Sequence, residues 1–183
     1  MWDLPITVRN GNKEIAIRNK CDFRVVLDVI RALKDDNLTD EQKTYCALFI
    51  FFEDITQIED YDAAIKEMMR IINGGEEQDE TDANKPVLMD WEHDFPQLAP
   101  PISRVLGYDV RMPEKFTHWY SFLGGYMEVG ECTFATIVSI RSKRAKNQKL
   151  DKWEQDYIRE HRKMVELPQK LTAEEQRYLD SDW

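Results

Sequence analysis

The densest run of groups able to hold a cation or move a proton is Asp90-Trp91-Glu92-His93-Asp94, three carboxylates and an imidazole within five residues. Carboxylate oxygens suit a hard divalent ion, and a carboxylate beside an imidazole suits acid–base work. On a helix, Asp90 shares a face with His93 and Asp94 while Glu92 points elsewhere, and no second cluster has the spacing to complete a site. Carboxylates at the start of a helix also cap its free N–H groups and complement its dipole, and the spacing assigns that role here. His118, beside Trp119, and His161, among apolar positions, stand alone as helical histidines, more in keeping with packing than with ligation. No G-x-S-x-G, H-E-x-x-H, P-loop or G-x-G-x-x-G pattern occurs, and Gly74-Gly75 and Gly124-Gly125 lack the Lys and Ser of a phosphate cradle. The expectation is a non-enzymatic protein with no catalytic residue, metal or cofactor.

A different chemistry is concentrated between Arg141 and Lys152, where six basic residues face a single acid. Such a run suits an acidic protein surface or nucleic acid, or simply the solvated C-terminal end of a helix. The 183-residue chain carries 25 Lys and Arg against 35 Asp and Glu, a net charge of −10, so its summed field repels phosphate backbones and anionic lipid. Nucleic acid and membrane are therefore not expected partners. Cys21, Cys46 and Cys132 form no C-x-x-C pair and read as thiols in a reducing compartment. The longest apolar run, Ala47 to Phe52, is six residues, and the opening residues lack the pattern of a secretory signal. A cytosolic protein is expected. Trp2 and Trp183, near the two ends, suit docking or folding back onto a core.

The elements that must position these groups are mostly helical. Composition is that of a globular chain, 42% hydrophobic and 33% charged, with 7 Gly and 7 Pro. Leu4, Ile6 and Val8 alternate ahead of Asn10-Gly11-Asn12 and Ile15 and Ile17, predicting a small hairpin. Asp22 caps a helix with Phe23, Val26, Leu27, Ile30 and Leu33 on one face. Thr39 to Gln42 is a capping box opening a helix with Tyr45, Leu48, Phe49 and Phe52 inward; Cys46, Ile50 and Phe51 make it apolar nearly all round, which predicts the most buried helix of this part. A third helix runs from Tyr61 to Gly74-Gly75. The acidic stretch 74–86 reads as a linker between an N-terminal part, 1–73, and a C-terminal helical part, 87–183, which could still share one core.

Beyond the linker, Val87 to Val105 reads as a helix with a kink or restart near Pro100-Pro101. Pro113 opens a helix with Phe116, Trp119, Tyr120, Leu123, Tyr126 and Met127 on one face. A short helix from Glu131 turns Phe134, Ile137 and Val138 inward, a long one runs from about Asp151 to just before Pro168, and Thr172 to Glu175 is another capping box. The fold class is mainly α, a multi-helix bundle with a small N-terminal β-hairpin.

Four segments recur in order: Leu88-Met-Asp-Trp-Glu-His-Asp-Phe-Pro96, Gly107-Tyr-Asp-Val110, His118-Trp-Tyr-Ser-Phe122, and Thr133 through Ile137, Ile140, Arg141 and Lys143. Together with Leu4 to Arg9 and the apolar N-terminal helices, this series resembles the gene-product-fifteen family of tailed bacteriophages and prophages of Gram-positive bacteria. The family's usual pattern has a more continuous helix where this chain carries Pro100-Pro101. The resemblance implies a tail assembly chaperone of a long-tailed phage, working in the host bacterial cytoplasm, with the tape measure protein and the major tail protein as partners; the alternative it leaves is a minor tail protein retained in the virion. Self-association is compatible with either. The candidate partner-binding residues are Trp91, Phe116, Trp119, Tyr120, Leu123, Arg141, Lys143 and Arg144, with Met68, Met69 and Met127 as adaptable apolar surface.

Overall fold

The computed structural model describes residues 3–76 and 86–168. It is mainly α, with a two-stranded antiparallel hairpin and, among the described residues, eight α-helices. The chain divides into two compact units, one of Met1–Lys85 with Phe95–Cys132, the other of Pro86–Asp94 with Thr133–Trp183. Residues 95–132 therefore group with the N-terminal elements rather than with the rest of 87–183. Residues 77–85 of the acidic linker, the Thr172 capping box, Trp2 and Trp183 lie outside the described residues.

In the first unit, β1 (Thr7–Asn10) pairs with β2 (Lys13–Ala16), with Asn10 opposite Lys13 and Gly11 taking the positive φ that the tight turn requires. Val8, Ile15 and Ile17 are buried, whereas Leu4 and Ile6 are exposed. A two-stranded ribbon needs a platform, and buried Asn10 supplies the attachment. Its amide donates to the Asp60 carbonyl at 2.6 Å and accepts from the N–H groups of Glu59 and Asp60 at 2.8 and 2.9 Å.

Three consecutive non-glycine residues, Asn19, Lys20 and Cys21, then have φ of 47°, 54° and 63°. This left-handed turn, disfavoured by about 1–2 kcal/mol per residue, is held at both ends. Arg18 donates to the carbonyls of Phe49, Ile50 and Phe52, and the Cys21 carbonyl accepts the Trp119 N–H at 2.8 Å.

α1 (Phe23–Lys34) starts at the Asp22 cap, whose Oδ1 accepts the Arg24 N–H at 3.0 Å. α2 (Asp40–Phe51) opens with the Thr39–Gln42 capping box, and α3 (Tyr61–Ile72) with the Asp60 cap. After α3 the chain turns through Gly74 and Gly75, both at positive φ, with the Gly75 N–H bonded to the Arg70 carbonyl at 2.8 Å. α2 is not fully buried. Ala47, Leu48 and Phe51 face inward, while Tyr45 and Phe49, read from sequence as core, are 59% and 54% exposed.

α4 (Trp91–Leu106) is helical straight through Pro96, Pro100 and Pro101, with no restart at Pro100. Proline removes the donor of an intrahelical bond, and burial holds the segment helical nonetheless: Leu98, Ala99 and Ile102 are fully buried in the first unit. α5 (Trp119–Met127) starts later than Pro113, because residues 115–118 are extended against the start of α1. There the Phe23 N–H bonds the Thr117 carbonyl at 2.9 Å, and the Thr117 N–H bonds Asp22 Oδ2 at 3.1 Å. A side chain at Gly125 would meet Ile102 Cγ2 at 3.2 Å and Leu106 Cγ at 3.3 Å, so glycine permits this close approach of α5 to α4.

In the second unit, α6 (Thr133–Ala145) is longer than the short helix read from sequence. The last long helix is two, α7 (Lys152–Glu160) and α8 (Arg162–Val165), separated at His161. Ile137, Ile140 and Val165 form the buried core, with Leu150, Tyr157, Ile158 and Met164 packed around it.

Two outcomes check the strained turn and the core beside it. Lys20→Gly should raise the unfolding free energy by about 0.5–1 kcal/mol and Lys20→Val should lower it, both read by urea denaturation. Burial pushes the Cys21 thiol up to about 12, and Cys21 is fully enclosed. A native thiol titration at mildly alkaline pH should therefore modify only Cys46 and Cys132 of the three free cysteines. The neutral thiol is favoured in the folded state, so its stabilising contribution is complete below the ordinary thiol range and falls as pH rises toward 12.

Candidate functional site

The acidic cluster and the basic run meet in one buried arrangement in the second unit. Asp90 Oδ1 accepts the N–H groups of Glu92 and His93 at 3.0 and 2.9 Å, the geometry of a cap on α4. Asp94 Oδ2 accepts the Asp90 N–H at 2.9 Å, and its carboxylate takes both arms of Arg141, at 2.7 and 2.8 Å. Asp94 is 1% and Arg141 7% exposed. The remaining Arg141 donors go to the carbonyls of Leu88, Met164 and Val165 at 2.8–2.9 Å, so all five N–H groups are used.

Asp90 and Asp94 are thus spent on a helix start and on a guanidinium. Among the described residues, no group of three or more His, Cys, Asp and Glu side chains is placed to hold a metal ion. Arg141, named from sequence as a partner-binding candidate, is mostly buried and ties Leu88 and Asp94 to the α8 backbone.

Trp119, another of the candidates named from sequence, lies in the core of the first unit. It is 1% exposed, its indole N–H bonds the Ile72 carbonyl at 3.0 Å, and its ring lies 5.8 Å from that of Phe122, which in turn stacks on Phe23 at 4.3 Å. His118 is buried beside it. Nδ1 accepts the Tyr120 N–H at 3.1 Å, which leaves Nε2 as the donor to the Pro5 carbonyl at 2.9 Å, so a neutral imidazole caps α5. Tyr120 and Leu123 are half-buried near the glycine turn after α3, and burial raises the Tyr120 hydroxyl above its ordinary pKa. Trp91 is half-buried. Phe116 sits ahead of α5 rather than on it and is exposed, as is Met127, whereas Met68 is in the core and Met69 is half-buried.

What remains open at the basic run is its outer edge. Lys143 is engaged by Glu154 at 2.5 Å, an ion pair that raises the lysine pKa. Arg144 and Arg162 flank Glu166, at 3.8 and 2.7 Å, and keep exposed guanidinium groups. Together with Val87, Val165, Leu167 and an edge of Arg141 they line a cleft of about 680 Å³ in the second unit. Two cations beside one carboxylate, with Val87 and Leu167 in the same lining, suit a segment that presents acidic and apolar side chains together. Arg162, Glu166 and Leu167 carry no motif; only their closeness to Arg144 in the fold brings them to this site.

The Bacteriophage Gp15 protein family model matches residues 3–167. The chain therefore belongs to the bacteriophage Gp15 family and is a phage-related protein. No curated protein and no solved structure gives a significant match to it. Among the described residues, no helix is long and apolar enough to cross a membrane.

The Arg141 arrangement yields a stability prediction. Arg141→Met strands a buried carboxylate and should cost about 3–5 kcal/mol by chemical denaturation, whereas Arg141→Met combined with Asp94→Leu should recover part of that loss. Recovery stays partial because the carbonyls of Leu88, Met164 and Val165 also lose their donors.

Proposed function

We propose that this chain acts as a non-enzymatic tail assembly chaperone, binding the phage tape measure protein and tail-tube subunits in the host cytoplasm. Family membership supports a phage role, and the ordered motifs that resemble tail assembly chaperones support the particular one. The observation that carries the binding reading is the cleft of the second unit. In a chain of net charge −10 it gathers two exposed arginines beside Val87 and Leu167. Acidic, amphipathic helical segments match that chemistry, presenting carboxylates to Arg144 and Arg162 and apolar side chains to Val87 and Leu167.

Of the groups that sequence offers for acid–base or metal work, Asp90, Asp94 and His118 each have a structural partner, which supports a structural use for those three, whereas His93 Nε2 is buried without one. Charge reversal tests the surface. Arg144→Glu with Arg162→Glu should leave the circular dichroism spectrum and melting temperature nearly unchanged and should weaken capture of co-expressed tape measure protein by about 10-fold or more. Unchanged capture by a folded double variant would remove the cleft from the account.

A further inference from the structure

The cleft of the second unit has a complementary segment within its own chain. Exposed Arg144 and Arg162 flank Glu166 there, beside exposed Val87 and half-buried Leu167. The charge of Arg141 is already met by Asp94, so the cleft offers two cations against one carboxylate. Residues 133–168, from which most of the lining comes, hold nine Lys and Arg against five Asp and Glu, a positive region in a chain of net charge −10. Leu167 lines the cleft, and Pro168, which has no N–H to carry α8 onward, leads directly into residues 169–183. That segment has two basic and four acidic residues. On a helix opened by the Thr172 capping box, Glu175, Tyr178, Leu179 and Asp182 fall at i, i+3, i+4 and i+7 on one face with Glu174 at its edge, while Arg177 and Asp180 belong to the other.

We propose that residues 171–182 dock in this cleft of the same copy, with Glu174 and Glu175 facing Arg144 and Arg162, and Tyr178 and Leu179 covering Val87 and Leu167. The inference rests on the reading of the cleft as a seat for acidic, apolar segments, and it names an occupant in cis that a partner must displace. Two features select this segment. The acidic stretch 77–85, on the other side of Val87, also carries four carboxylates, but Ala83 is its one apolar residue and it has nothing to cover Val87 and Leu167. In the tail, carboxylates and large apolar side chains share one face. Only Pro168, Gln169 and Lys170 separate Leu167 from Leu171. A tether that short sets an effective concentration of about 1 mM, at which a contact of about 0.1 mM affinity is about 90% occupied. At about 50 μM protein, the tail of a second copy is roughly 20-fold more dilute than that.

Paramagnetic broadening in the full chain tests the docking. In a Cys46→Ser, Cys132→Ser background, which leaves only buried Cys21, a nitroxide is attached through Gln176→Cys, off the docking face. At about 50 mM salt and about 50 μM protein, the amide signals of Val87 and Arg144 should lose at least about half their height. Glu174→Lys with Glu175→Lys should restore most of it, as should Arg144→Glu with Arg162→Glu, and all four substitutions together should bring the broadening back. Absence of broadening, broadening unmoved by either pair of reversals, or a fourfold variant no different from the two double variants would each overturn the proposal. So would broadening of an isotope-labelled copy by a spin-labelled second copy, which makes the occupant another chain. No tape measure protein is present in this experiment, so its failure leaves the capture result with Arg144 and Arg162 standing, and unchanged capture leaves docking in cis to be decided by the broadening alone.

Discussion

Burying a polar group without a partner costs more than most single contacts return, and that constraint organises both units of this protein. In the second unit it acts through Arg141 and Asp94. A guanidinium at that depth is tolerable only with all its donors satisfied, and satisfying them draws in one carboxylate and three backbone carbonyls from two stretches of chain. In the first unit the same logic acts through neutral groups. Asn10 ties the hairpin to the start of α3, the Trp119 indole closes on the last carbonyl of α3, and His118 serves at once as cap and as donor to Pro5. The Asn10–Asp60, Trp119–Ile72 and His118–Pro5 contacts join residues 50, 47 and 113 positions apart in the chain.

The residues that carry the resemblance to the family take on a physical meaning in this light. The acidic segment and the Arg141 helix end, separate in the sequence pattern, are two halves of one buried ion pair. The His118-Trp119 pair is a cap and a core side chain. These motifs specify the fold, and the cleft proposed to bind a partner draws mainly on residues outside them, Arg144 and Arg162 among them.

Local codes were the legible part of the structure. Asp22, Thr39 and Gln42, the Asn10-Gly11 turn and the Gly74-Gly75 stop act within a few residues of themselves, and each is found where the sequence places it. Less legible was anything decided at long range. A helix apolar all round gives no sign of which side faces water, so the exposure of Tyr45 and Phe49 depends on where α1 and the hairpin sit. Pro100 and Pro101 announce a break that burial of Leu98, Ala99 and Ile102 overrides. Arg141 looks like one cation in a solvated basic run until its partner, 47 residues earlier, is placed beside it. The cleft itself needed the turn at His161, where a continuous periodic pattern gives no reason for α7 to stop.

A chaperone that holds tape measure protein during assembly leaves before the particle is complete, whereas a tail component stays. Quantitative mass spectrometry of this protein in lysate from phage-producing cells, and in particles purified from the same culture, distinguishes the two directly. The account predicts abundance in the lysate and absence from the particles; a fixed stoichiometric copy number in the particles would contradict it.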